Sequence, residues 1–235
     1  LFRMIRMQTN RFLIRFYVTI SLFGILIVLI LALNPPLTGG DFPWRRPIIG
    51  ASFASICLLG AFASLFPKRC TVLGHSVKTK NGSPRYPPAK SKGHHPDCEH
   101  FSSHIINVEG HALCAGCTGL FVGALMSLAG ALSYFFLRSN IGGDSLAVAL
   151  GSLGLILGFA QFALRGFLRS AMNVLFVVGA FLILMGMDQL AKNFFVDLFI
   201  LAMIVFWILT RIELSRWEHD RVCKRCRYVK KECEL

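Results

Sequence analysis

Residues 16–33 read FYVTISLFGILIVLILAL. This run carries no Asp, Glu, Lys, Arg or His, and Asn34-Pro35-Pro36 stops it. A bilayer core of about 30 Å needs about 20 apolar helical residues. The run therefore predicts a transmembrane helix. Arg3, Arg6, Arg11 and Arg15 precede it, as a signal peptide's basic start would. The apolar part is longer than an ordinary signal core, and no small-residue cleavage site follows. It reads as an uncleaved first helix.

Five further runs follow the same logic. They cover residues 48–66, 118–137, 145–164, 171–187 and 194–212, each bounded by Pro or by charge. Composition agrees. The 235-residue chain is 54% hydrophobic and 16% charged, whereas soluble domains carry about 25% charged residues. The expected fold is all-α: a polytopic membrane protein of six transmembrane helices. Its divisions are a basic arm at 1–15, a two-helix hairpin at 16–66 and a loop with a Cys/His cluster at 67–117. A four-helix bundle at 118–212 and a basic Cys-rich tail at 213–235 complete it.

The net charge of +13 would suggest nucleic acid in a soluble protein. In a membrane protein it points to loops retained in the cytoplasm. With six spans, only Arg45, Arg46, Arg138 and Lys192 fall on one side, and every other Lys and Arg falls on the opposite side. The crowded side is predicted to be cytoplasmic. Both termini, the 67–117 loop and the tail then face inward. The expected location is the inner (cytoplasmic) membrane, with no nucleic-acid partner.

That orientation governs the cysteines. Disulfides are disfavoured in the cytoplasm, so paired cysteines there are read as metal ligands or redox thiols. Of eight cysteines, Cys57 lies inside the second run as an apolar filler, and Cys70 stands alone. The loop holds Cys98-x-His100 followed by Cys114-x-x-Cys117, about the separation of ligand pairs in zinc fingers. Zn²⁺ prefers four tetrahedral N/S ligands, and a two-residue gap lets both thiolates of one turn reach one ion. His104 and His111 are nearby alternatives. The tail holds His219, Cys223, Cys226 and Cys233, a second Cys₃His set. Loop and tail face the same side, so they also suit one shared site. Structural zinc is the expected cofactor. Neither C-x-x-C is followed by His, which excludes covalent c-type haem, and no ferredoxin-type cysteine run occurs.

The spans themselves read as structural. No charged residue falls mid-span, which argues against a proton-coupled transporter. Gln161 and Asn173 are the main polar residues, with Asp188 and Asp197 near the outer ends. Gly119-x3-Gly123 and Gly154-x3-Gly158 allow close backbone approach. They serve either a partner-docking face or internal packing of the third and fourth helices.

Residues 98–125, CEHFSSHIINVEGHALCAGCTGLFVGAL, resemble an uncharacterised family of prokaryotic predicted integral membrane proteins. In that family a Cys/His element precedes C-x-x-C-T-G at the start of a transmembrane helix. The likeness extends to about Met187 and, by position, points to Cys98, His100, Cys114, Cys117, Gly119 and Gly123. Here Glu99 separates Cys98 from His100, and Ala115-Gly116 fill the C-x-x-C. The resemblance implies a fold but no activity.

The leading functional expectation is an accessory, structural or assembly subunit of a larger membrane complex. Its partners would be other membrane subunits and anionic lipid, and a second copy of the chain is a further candidate. One alternative is a zinc enzyme, with Glu99 or Glu109 as base beside an open metal position. Another is a cytoplasmic-facing thiol redox sensor.

Overall fold

Apolar runs this long bury their own backbone hydrogen bonds only as helices, and helices dominate the chain. The computed structural model describes residues 2–35, 42–65, 104–108, 111–137 and 144–225. Helix α1 spans Phe2–Leu33 and α2 spans Arg45–Leu65. A short hairpin follows, with β1 at Ile105–Val108 and β2 at His111–Cys114. Helix α3 spans Ala115–Ala131 and runs into a π-helical turn, Leu132–Phe136. Helix α4 spans Asp144–Phe159 and ends in a 3₁₀ turn, Ala160–Ala163. Helices α5 and α6 span Gly166–Ala191 and Phe194–Arg225. Lys192 closes α5 in the left-handed conformation, with φ 46°.

The segments containing α1, α2, α3, α5 and α6 are long and apolar enough to cross a bilayer, while α4 is shorter but equally apolar. The protein is a multi-pass membrane protein. Three boundaries differ from the sequence expectation. The sixth helix continues to Arg225, so residues 213–225, read as the start of a separate tail, are helical. Residues 2–15, read as a separate arm, continue the first helix without a break. The third helix starts at Ala115, three residues earlier than expected, and takes Cys117 into its first turn. The hairpin is the one strand pair among the described residues, an addition to an otherwise all-α chain.

Helix α5 is the most buried of the long helices. Both glycine pairs are spent on it. A Cβ at Gly119 would collide with the Ser170 carbonyl. One at Gly123 would come 3.0 Å from Val177 and 3.1 Å from the Val174 backbone. From the other side, a Cβ at Gly154 would lie 2.7 Å from the Leu175 carbonyl, and one at Gly158 2.5 Å from Phe176. The small residues therefore serve internal packing, and helices α3 and α4 meet α5 through them. Helix α1 packs chiefly on α6. Ser21 and Thr210 share a hydrogen bond of 2.8 Å, and the Trp207 indole N–H donates to the Ser21 carbonyl at 3.2 Å.

Candidate functional site

The hairpin exists to deliver a turn of helix. Its register pairs Ile105 with Cys114 and Val108 with His111. Cys114 ends β2 in an extended conformation (φ −73°, ψ 119°) and serves as the N-cap of α3. The next residues are helical, so Cys117 follows on the first turn. The Thr118 hydroxyl donates to the Cys114 carbonyl at 3.0 Å and ties that turn together. Both cysteines are half-buried. The end of β2 and the start of α3 thus hold two thiols at a helix N-terminus, where the macrodipole favours negative charge.

Beneath them lies a buried polar cluster built from α5 and α6. Asn173 and Arg211 are both buried. Arg211 donates to Asn173 Oδ1 through Nε at 2.9 Å and also through Nη2. Asn173 in turn donates through Nδ2 to the Arg169 carbonyl at 2.7 Å. The Arg211 guanidinium reaches up to the cysteines. A Cβ built on Gly116 would stand 3.8 Å from Arg211 Nη2 and 3.9 Å from Cys114 Sγ.

A second arginine anchors the hairpin. Arg169 holds Glu218 in a two-pronged ion pair, with Nη1 to Oε1 at 3.2 Å and Nη2 to Oε2. Arg169 Nη1 also lies 3.2 Å from Nε2 of His104, the buried residue just before β1. His104 is therefore engaged with α5 and α6.

A separate charged cluster occupies the opposite end of the bundle. Arg45 is 1% exposed, and Asp188 and Asp197 are fully buried. Arg45 Nη1 lies 2.6 Å from Asp188 Oδ1 and also donates to Asp197. Arg46 Nε lies 3.1 Å from Asp188 Oδ2. The Tyr134 hydroxyl donates to the same Asp188 oxygen at 2.5 Å, and the Arg46 guanidinium sits over the Tyr134 ring at 5.2 Å. Tyr134 belongs to the π-helical turn, whose wider spacing is frequent at functional positions.

Of the sequence-proposed ligands, Cys114 and Cys117 are brought together. His219 lies half-buried on α6, and the backbone of Cys223 follows one turn later on the same helix. Cys98, His100, Cys226 and Cys233 fall outside the described residues, as does the side chain of Cys223. Among the described residues, no group of three or more His, Cys, Asp or Glu is placed to hold a metal ion. The described part of the loop site is a pair of thiols, half of a tetrahedral set.

Comparison of the chain with protein-family models, with curated proteins and with solved structures finds no match.

The arginines are what sequence reasoning missed. The sequence reading leaves Arg45 in a loop and Arg211 at the end of the sixth span, each without a partner of its own. A signal was present. Arg45, Asp188 and Asp197 all lie at span ends that the charge pattern assigns to one side. Opposite charges at a shared depth are natural partners.

Proposed function

We propose that this chain is an accessory or assembly subunit of a larger complex in the cytoplasmic membrane, with structural zinc on its inner face. The observation that carries the reading is the seating of Cys114 and Cys117. A hairpin sets Cys114 as the N-cap of α3 and Cys117 on its first turn, against a polar cluster that ties the hairpin to α5 and α6. A site so anchored stiffens a surface.

Six spans with both termini inside are part of this reading. Helix α4 has 16 residues, about 24 Å, and its 3₁₀ turn adds about 8 Å. Together they approach the thickness of the hydrocarbon core. Successive contacts are antiparallel in sense. Gly50 near the start of α2 meets Phe135 near the end of the third span, and Asp144 at the start of α4 meets Gly186 late in α5.

The zinc ligands would be Cys98, His100, Cys114 and Cys117. The pairing of Ile105 with Cys114 supports this, because Cys98 and His100 precede Ile105 by only a few residues of sequence. His219, Cys223, Cys226 and Cys233 would form a second set, or join the first. Zinc held there fixes the loop's geometry, and the basic tail then meets a partner subunit or anionic lipid.

Purification from native membranes without chelators, followed by metal analysis, tests the reading. Zinc is expected in the parent. Cys114→Ser and Cys117→Ser should each release one equivalent, because thiolates dominate zinc affinity. A zinc-free parent rejects it. The thiol-sensor reading draws on a different observation, the Arg211 charge beside the cysteines, since cationic neighbours make thiols reactive. Zinc-free protein with rapidly alkylated Cys114 and Cys117 would favour that reading.

A further inference from the structure

Arg169 Nη1 lies 3.2 Å from His104 Nε2. A guanidinium carries donors only, so the imidazole nitrogen in this contact is the acceptor. His104 is then neutral, with its ring proton on Nδ1. It is 7% exposed and stands immediately before β1. The charged groups that face it come from two helices. Arg169 belongs to α5. Glu218 belongs to α6, and its Oε1 lies 3.8 Å from the same imidazole nitrogen, beyond hydrogen-bond reach. Both oxygens of Glu218 are already engaged by Arg169. Across the hairpin, the residue one step beyond the Ile105–Cys114 pair is Ala115, which has no charge. A proton on Nε2 would turn the acceptor into a donor. Two N–H groups would then face each other, and a second cation would stand beside Arg169.

We infer that His104 is a pH-sensitive fastener of the hairpin: neutral, it holds the base of β1 against α5 and α6, and protonated, it lets go. The strand pair that it fastens ends in Cys114, so acid would loosen the seat of that thiol. The device needs no metal and stands apart from the zinc reading. Its sign follows from where the proton binds. An open hairpin leaves His104 in water, where an imidazole gains its proton at about pH 6.5. The closed hairpin uses the same nitrogen as an acceptor. The closed form is therefore fully favoured above that pH and loses ground below it. One proton separates the two forms, so at about pH 5.5 the open fraction should rise by about tenfold.

Hydrogen exchange of the full chain in detergent tests this, with rates corrected for the intrinsic effect of pH on amides. Between about pH 7.5 and about pH 5.5, protection of residues 105–108 and 111–114 should fall by about tenfold, while protection within α5 holds. His104→Gln offers Arg169 a carbonyl that does not titrate, and should flatten the response. His219 follows Glu218 on α6 and titrates in the same range, so His219→Gln is the control and should keep the response. Hairpin protection that acid leaves unchanged in the parent overturns the inference, as does a response lost in His219→Gln. Loosening that tracks the release of zinc and survives in His104→Gln overturns it and leaves the zinc reading standing. Nitrogen NMR of isotopically labelled histidines gives a reading that does not depend on hairpin opening. The ring signal absent from His104→Gln should show a bare Nε2 and a protonated Nδ1 at neutral pH, and a proton on that Nε2 overturns the inference.

Discussion

Arg45 and Asp197 form a buried ion pair between the start of α2 and the start of α6, across 152 positions of chain. Asp188 shares the same guanidinium nitrogen from the end of α5. One cation therefore joins three helices where water is excluded. Removing one partner of a buried pair costs about 3–5 kcal/mol, because the remaining charge is left without compensation. Arg45→Ala should lower the melting temperature of the detergent-purified protein sharply and reduce its yield in membranes. Arg45→Lys, which keeps the charge but loses the fork, should fall between. A melting curve for Arg45→Ala that overlays the parent's would show the cluster to be energetically idle.

The glycines of the spans divide into two kinds. A Cβ at Gly119 runs into the Ser170 carbonyl, and backbone cannot turn aside as a side chain can. Gly119→Ala should force α3 away from α5 and cost about 1–3 kcal/mol, the usual range for overpacking. Gly60 in α2 has nothing within 4 Å of its would-be Cβ. Gly60→Ala should leave stability unchanged or raise it by up to about 1 kcal/mol, since Ala is the better helix former. Equal melting temperatures for the two variants would contradict the packing described for α3.

Glu218 is the carboxylate that occupies Arg169, and Arg169 also holds His104 at the foot of the hairpin. Glu218→Gln should loosen the hairpin without unfolding the bundle. Hydrogen exchange in residues 104–114 should accelerate by tenfold or more, about 1.4 kcal/mol of lost local protection. Exchange within α5 should stay near the parent's. Unchanged exchange across the hairpin would mean that its own strand pairing, not Arg169, keeps it in place.

Orientation is open to direct labelling. The basic residues cluster on the side expected to be cytoplasmic, so a cysteine placed at Lys90 and the native Cys226 should resist an impermeant thiol reagent applied to sealed cells. Both should react once the membrane is opened. Ready labelling of either site from outside would reverse the orientation and with it the cytoplasmic placement of the Cys/His site.

The helices were legible because their signal is local. Eighteen or more apolar residues state their environment without reference to the rest of the chain, and the terminal Pro and charge marks fall close to most of the helix ends, though α6 runs on through its charges to Arg225. The small-residue pairs were legible as contacts but not as partners, since spacing reveals a flat face and not what lies against it. The polar clusters were hidden for a related reason. Arg211 and Asn173 sit on different helices, and each alone resembles an unremarkable span-end residue. Their meaning is relational. The hairpin was hidden by its brevity: IINV and HALC are too short to show alternation, and the Cys/His pattern around them drew the reading toward ligands. Cys114 and Cys117 were found because two residues of spacing is itself a local signal.

The packing of α1 on α6 has a consequence for the order in which the molecule can be made. A ribosome delivers α1 well before α6, yet Ser21 meets Thr210 and Trp207. Helix α1 therefore waits, without its main neighbour, while the four intervening helices are made. A chain halted before α6 would leave α1 held only by its lesser contact with α4, its other face available to be captured by whatever helix passes. Correct closure is a late event. Quality control at the membrane would see the closed bundle and the halted one differ at α1, far in sequence from the missing helix.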